Sequence, residues 1–351
     1  MARPVILASL ATAVPGHCLH QRDAELIAEM LFGKRYEAFE HLKPVFANAG
    51  ISKRAISMPV EWYLQPRDWR ERNEAYIAVA SKLFHTAARR ALDKAGLRAS
   101  DIDAVVSVSS TGIATPTLEA RMADALGFRP DILRIPLFGL GCAGGVSGLA
   151  LAQRLADADP DMRVLLVVVE LCSLAFRCDR LSKANIVATA LFGDGAAAAV
   201  ISGRDGGEGA ELFPGYQHTW AHTLDMMGWK VDPNGFEVIF DRAIPPFARR
   251  HLRPVIEGFL ACSKVEMNAV SRFSFHPGGV KVLQAIESAF GLWDGALDIE
   301  RRVLREHGNM SAPTALFVLK EMLDEGHRGF SLLTALGPGF SAASLPLMAR
   351  A

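Results

Sequence analysis

Cysteine is scarce in this chain and none of it is paired. Cys18, Cys142, Cys172, Cys178 and Cys262 are odd in number and show no C-x-x-C spacing, which speaks against a disulfide framework and against a zinc site. Reduced thiols in a cytoplasmic protein are the expectation. Excess charge is also missing, since 38 Lys and Arg balance 38 Asp and Glu over 351 residues. No global field would therefore draw the protein to nucleic acid or to an anionic membrane, and a charged ligand would need a local basic patch. No apolar run is long enough to cross a bilayer. Residues 4–15 are apolar after Arg3 and mimic a short leader, yet they include Pro4 and run into folded-looking sequence; residues 5–11 are expected to form a first strand.

What is present suits a large core. Half the residues are hydrophobic, enough for one large domain or two fused ones without staples. Strand-like runs at 104–109, 132–138, 163–169 and 196–201 alternate with helical stretches at 73–95, 118–126 and 146–157, which predicts a layered α/β fold. Asn73 is expected to cap the second-named kind of element at its start, and Gly96 to supply the left-handed stop. Residues 92–112 and 259–279 echo each other: a helix end, an Asp or Asn beside a small residue, an apolar strand, then a polar loop. The echo predicts a duplicated fold, with its seam at the glycine-rich segment 203–209 and halves at 1–205 and 206–351.

The chemistry is expected at Cys142, in Gly139-Leu140-Gly141-Cys142-Ala143-Gly144-Gly145. A thiol on a glycine turn ahead of a helix feels the positive end of the helix dipole, which favours thiolate. The same turn also satisfies G-x-G-x-x-G, and Glu170 ends the next apolar run as a ribose-binding acid would, so an NAD-binding oxidoreductase competes. Against it, the motif lies mid-chain and puts a thiol where a pyrophosphate would pack. A nucleophilic cysteine needs a base or cation and donors for an oxyanion. His276 opens His276-Pro277-Gly278-Gly279 after the strand-like 272–275, a place that suits catalysis better than burial, although a satisfied core histidine is the plainer alternative. Asn309 in Gly308-Asn309-Met310-Ser311 could donate its amide to an enolate oxygen, or could merely cap the helix expected at 314–323.

Cys142 in its turn, Leu191-Phe192-Gly193-Asp194-Gly195, His276-Pro277-Gly278-Gly279, Gly308-Asn309-Met310-Ser311 and Leu336-Gly337-Pro338-Gly339-Phe340 together resemble the chalcone synthase-like type III polyketide synthases of bacterial type. They occur in family order over essentially the whole chain. The Cys-His-Asn trio and the Phe-Gly-Asp-Gly run are shared more widely with ketoacyl synthases of the thiolase fold, but fatty-acid initiating relatives usually carry Gln-Ala-Asn after the histidine.

The resemblance implies a homodimer of duplicated α/β halves in five αβαβα layers. Cys142 would take a starter acyl group from coenzyme A, with His276 keeping it ionised. His276 and Asn309 would hold the malonyl-CoA thioester oxygen during loss of carbon dioxide. Coenzyme A thioesters are then substrates, and no metal or redox cofactor is implied. Phe192 would gate the reaction cavity, or simply pack in the core. Thr111, Thr115, Cys172, Ala175, Ala188, Trp229, Val238 and Ser311 would line the pocket. Val238 replaces a plant gate phenylalanine and Trp229 a plant glycine, and Cys172 and Thr111 resemble residues along the acyl tunnels of fatty-starter relatives. Lys43, Lys53, Arg54 and Lys281 would meet the coenzyme A phosphates. The implied reaction is condensation of a fatty acyl starter with malonyl units to an alkylpyrone or alkylresorcinol. A tetrahydroxynaphthalene- or acylphloroglucinol-forming synthase, then a ketoacyl synthase III-like enzyme, are the alternatives, and a non-catalytic thiolase-fold binding protein is disfavoured by the intact trio.

Overall fold

A computed structural model describes residues 4–203 and 209–350. The expected seam at 203–209 and the boundary at 205/206 fall largely on residues outside that set. Ten strands form one sheet in the order Arg272–Phe275, Gly329–Gly337, Ser341–Ala349, Ala210–Leu212, Val5–Ala13, Asp194–Ser202, Arg163–Leu171, Ala104–Val108, Leu133–Leu137, with Tyr216–Thr219 added on Ser341–Ala349. The short strand Ala210–Leu212 pairs with Val5–Leu7 on one side and Leu347–Ala349 on the other. It welds a half-sheet from the first half of the chain to one from the second.

Five layers follow from which face each side chain uses. Along Arg163–Leu171 every residue after the first is buried, the pattern of a strand covered on both faces. Val164, Leu166 and Val168 face a core made with the helices Gly144–Ala158 and Ala312–Asp324, together with Leu333, Ala335, Leu345 and Leu347 of the other half-sheet. Leu165, Val167 and Val169 face the outer helix Trp69–Ala95. On the far side Leu332 and Leu336 meet the outer helices Ile244–Cys262 and Val280–Phe290. The order is therefore helix, sheet, helix pair, sheet, helix, as the thiolase-like expectation had it.

The echo is visible as structure. Helix Trp69–Ala95 ends at Gly96 (φ 67°), a 3-10 turn Ala99–Asp101 follows, then strand Ala104–Val108. Helix Ile244–Cys262 is followed by the 3-10 turn Met267–Ala269 and strand Arg272–Phe275. Asn73 is not the cap. The long helix starts at Asp68, whose carboxylate accepts from Glu71 N at 2.8 Å while Glu71 accepts from Asp68 N at 3.1 Å. That reciprocal pair places the cap five residues earlier, leaving Asn73 inside the helix, bonded to both backbone groups of Ile113. The stretch expected as one helix at 118–126 is two short ones, Leu118–Arg121 and Ala123–Leu126.

Candidate active site

Each half sends one helix N-terminus and one strand-end loop to the same spot. Cys142 lies in the 3-10 turn Gly141–Ala143 that leads into Gly144–Ala158. The two middle helices approach so closely that a Cβ on Gly145 would stand 2.2 Å from the Ala312 carbonyl oxygen and one on Gly144 3.3 Å from the Ala312 Cβ. A Cβ on Gly141, itself at φ 46°, would lie 2.6 Å from Pro338. Gly139 and Gly141 amides donate to Ser110 Oγ at 3.1 and 3.4 Å. These glycines serve packing between the halves, and their amides are already bonded, so the turn offers no cradle for a pyrophosphate. Glu170 is fully buried and accepts from Ser110 N and Thr111 Oγ1, which removes it as a ribose ligand.

Cys142, His276 and Asn309 line one small pocket with Met227, Phe240, Ile244, Gly278, Val282 and Leu336. The thiol points to Asn309 Oδ1 at 3.9 Å. Asn309 is held by its surroundings: its backbone N donates to Leu191 O and its carbonyl accepts from Gly193 N. Its Nδ2 donates to Gly278 O at 3.3 Å and its Oδ1 accepts from Ser311 N at 2.8 Å, leaving one amide hydrogen for the chamber. The Leu191–Gly195 run therefore docks the asparagine, because a Cβ on Gly193 would meet His307 O at 2.3 Å and one on Gly195 the Met310 sulfur at 2.5 Å. Ser311 sits at φ 58°, ψ −131°, a strained conformation of the kind that costs about 1–3 kcal/mol and gathers at functional sites. It does not cap the following helix with its side chain, and neither does Asn309.

His276 is anchored through its backbone N to Thr334 O at 2.8 Å, yet both ring nitrogens are buried without a partner. A buried imidazole with two unmet nitrogens beside a cavity is poised for a group that enters the cavity. Its pKa is pushed down to about 3 by burial. Burial likewise pushes the Cys142 thiol up to about 11, against the lowering effect of hydrogen bonds to Ser311 and Asn309. Burial thus opposes the ionised form of both groups, while the helix end and the hydrogen bonds to Ser311 and Asn309 favour the thiolate.

Two further compartments adjoin. Cys142, Asn309, Ser311 and Pro338 share about 410 Å³ with Cys172, Phe192, Trp229 and Val238. Beyond that wall lies an apolar cavity of about 630 Å³ that takes in Cys172, Ala175, Ala188, Phe192, Trp229 and Val238. Phe192 meets Trp229 edge-on at 6.1 Å between ring centres, so both rings form the partition. The sequence missed the outer lining, Leu19, Ala24, Ile27, Ile56, Val60 and Tyr63, which no local pattern marks, and the chamber residues Met227 and Phe240, which the alternation of the 227–240 stretch could have suggested.

Three expectations fail. Arg54 is 1 % exposed, with Nη1 donating to Gln21 Oε1 and Ala190 O, both at 2.8 Å, so it is no surface cation at a tunnel mouth. Thr111 spends its hydroxyl on Glu170 and on the Leu171 amide and lines none of the three compartments. Thr115 is on an exposed loop, away from them as well. Of the other cations, Lys43 pairs with Glu29 at 2.8 Å, Lys53 with Glu306 at 3.3 Å, and Lys281 is exposed.

The fold, the buried thiol and the chamber it shares with an imidazole and a carboxamide define an acyl-transferring condensing enzyme, a type III polyketide synthase. The chain belongs to the chalcone and stilbene synthase family, whose N-terminal domain matches residues 2–205 and C-terminal domain residues 215–348. It is 39 % identical to 1,3,6,8-tetrahydroxynaphthalene synthase of Streptomyces peucetius subsp. caesius, over 97 % of this chain and 92 % of that one. It is 36 % identical to a putative chalcone synthase of Bacillus subtilis (strain 168), over 96 % of each. The crystal structure of 1,3,6,8-tetrahydroxynaphthalene synthase from Streptomyces coelicolor A3(2) superposes with a TM-score of 0.93 at 27 % identity, covering 99 % of both chains.

Proposed function

We propose that the enzyme joins an acyl-CoA starter, a fatty acyl group, to malonyl-CoA units and cyclises the chain to an alkylpyrone or alkylresorcinol. One observation carries this reading: the compartments lined by Cys142, His276 and Asn309 adjoin an apolar cavity across the Phe192–Trp229 partition, the environment an alkyl chain needs. In the proposed cycle the Cys142 proton passes to His276 and the sulfur attacks the starter thioester. The C–S bond to coenzyme A breaks, and the leaving thiolate takes the proton back. His276 and the free amide hydrogen of Asn309 then bind the malonyl thioester oxygen. The electron pair of the bond to the lost carbon dioxide becomes an enolate on that oxygen, held by preorganised donors. Its carbon attacks the acyl group on Cys142, forming the new C–C bond and releasing the sulfur. No metal or redox cofactor enters these steps, and coenzyme A thioesters serve as substrates.

Further parts of the reading concern assembly and place. The sheet ends at Leu133–Leu137, whose outer edge is unpaired within the described chain, beside exposed Leu133, Phe138 and Ile113. An apolar open edge of this kind supports a homodimer. Among the described residues no helix is long and apolar enough to cross a membrane, and the cytoplasm, where acyl-CoA is available, is the proposed location.

A second reading has a specific support, the 39 % identity to a tetrahydroxynaphthalene synthase: a fused-ring product without an alkyl tail. Incubation with malonyl-CoA alone and with hexanoyl-CoA or lauroyl-CoA, followed by mass spectrometry, separates the two. Alkylated pyrones or resorcinols are expected, and formation of tetrahydroxynaphthalene alone would transfer the assignment to the second reading. Digestion after acyl-CoA loading should show the adduct on Cys142.

A further inference from the structure

The Trp229 side of the partition between the chamber and the apolar cavity is carried by an element outside the main sheet. Met227–Asp232 and Gly235–Phe240 form a separate two-stranded sheet, in which Trp229 and Val238 are directly paired. No strand of the large sheet holds this hairpin, so side chains must. Phe236 stacks on Trp229 at 5.7 Å and meets Trp69 edge-on at 4.8 Å. The polar restraint is a buried guanidinium. The Arg177 side chain is 2 % exposed. Its Nη1 donates to both oxygens of Asp232, at 2.9 and 3.1 Å, near the hairpin tip. Its Nε and Nη2 donate to the two oxygens of Asp179 at 2.8 and 2.6 Å. Arg180 pairs with Glu237 on the other strand of the hairpin.

The base of this latch is itself immobilised on the opposite wall of the cavity. Asn185 Nδ2 donates to the carbonyls of Arg177 and Arg180 at 2.7 and 3.0 Å, tying the loop to the helix Lys183–Leu191 that carries Ala188. Arg72 Nη1 donates to Leu174 O and Phe176 O at 2.6 and 2.7 Å, bracketing Ala175. The Arg177 guanidinium, seconded by Arg180, therefore ties the wall bearing Trp229 and Val238 to the wall bearing Ala175 and Ala188. A planar five-donor fork satisfied on two carboxylates fixes distance and angle together.

We propose that Arg177 is a positioning residue for starter selection: through Asp232 it sets the separation of the two walls, and with it the acyl chain that the cavity accepts. This rests on the reading of the apolar cavity as the starter site. Neither Arg177 nor Asp232 lines the chamber, so decarboxylation of malonyl-CoA should not depend on them. The variants are Asp232→Asn, the double variant Asp232→Asn/Glu237→Gln, Arg177→Lys and Arg177→Gln. Expected is a change of about five- to tenfold in the ratio of kcat/KM for lauroyl-CoA to that for hexanoyl-CoA. The double variant should change most and Arg177→Lys, which keeps charge but loses the fork, should fall between. Malonyl-CoA decarboxylation should stay within about twofold of wild type.

Hydrogen exchange over residues 227–240 reads the latch without any starter, and should accelerate in Asp232→Asn. Unchanged exchange in the double variant would overturn the latch. Faster exchange with an unchanged starter ratio, or an equal loss across both starters and decarboxylation, would overturn its role in selection and leave it a structural pair. A wild-type enzyme that condensed neither starter would remove the fatty-acyl reading and the selection role with it, while the latch would still stand or fall on exchange.

Discussion

The two halves use one scaffold and fill its equivalent positions differently. In the first, the loop after Ala104–Val108 carries Ser110 and Thr111, and the middle helix begins beside Cys142. In the second, the loop after Arg272–Phe275 carries His276, and the middle helix begins beyond Asn309 and Ser311. Three of these four corners face the chamber. The fourth became a brace: Ser110 Oγ accepts from Gly139 and Gly141, and Ser110 N donates to Glu170. The duplication supplies converging helix ends and strand ends, and the choice of side chain at each decides whether that corner does chemistry or holds the neighbouring corner still.

The comparison breaks most sharply when one corner is removed at a time. Cys142→Ala should lose all condensation and its acyl adduct while still releasing carbon dioxide from malonyl-CoA. His276→Ala or Asn309→Ala should lose decarboxylation by about 10²–10³-fold. Radiolabelled carbon dioxide release separates the two classes, and equal losses in all three variants would refute the division of labour.

Next in size is the contact that brings the halves together. Gly145→Ala puts a methyl 2.2 Å from the Ala312 carbonyl and should cost about 1–3 kcal/mol, read as a lower midpoint in urea. Gly127→Ala, in open space at φ 83°, should cost about 1 kcal/mol through backbone strain alone.

A pH profile sharpens the picture of the resting pair. With the thiol pushed up to about 11 and the imidazole down to about 3, alkylation of Cys142 by iodoacetamide should accelerate steadily from pH 7 to 10, because the thiolate fraction grows. A flat rate over that range would show an ion pair already formed.

The smallest effect belongs to the brace. Burial raises the Glu170 carboxyl to about 8 from an ordinary 4.5, so the folded state binds its proton more tightly than the unfolded chain. The associated stability is complete below about pH 4.5 and is lost as pH rises through 8. Asp194 and Glu300, raised to about 6 and 7, act in the same direction. Glu170→Gln should therefore flatten, but not abolish, the fall in thermal midpoint between pH 5 and 9, and an unaltered slope would show that Glu170 titrates at its ordinary value in the folded protein.

Much of this was legible in the chain. Apolar runs placed the central strands, the repeated helix-turn-strand pattern disclosed the duplication, and six of the pocket residues that the family resemblance implied, Cys172, Ala175, Ala188, Phe192, Trp229 and Val238, border one cavity. The failures share a cause. Arg54 follows a lysine in a short strand and reads as surface, yet partners far along the chain, Gln21 and Ala190, enclose it. Asn73 is a good cap by type, but Asp68 with Glu71 is a better one. Arg177 and Asp232 are unremarkable charges 55 positions apart until the hairpin folds back.

The sequence by itself determined the layered fold and singled out the candidate reacting groups, because side-chain period and short glycine-rich motifs act over a few residues. Only the tertiary structure decided the burial of those groups and the shape around them. Desolvation of Cys142 and His276, the partition made by Phe192 and Trp229, and the capture of Arg177 between two carboxylates all depend on segments distant in the chain closing on one another and excluding water.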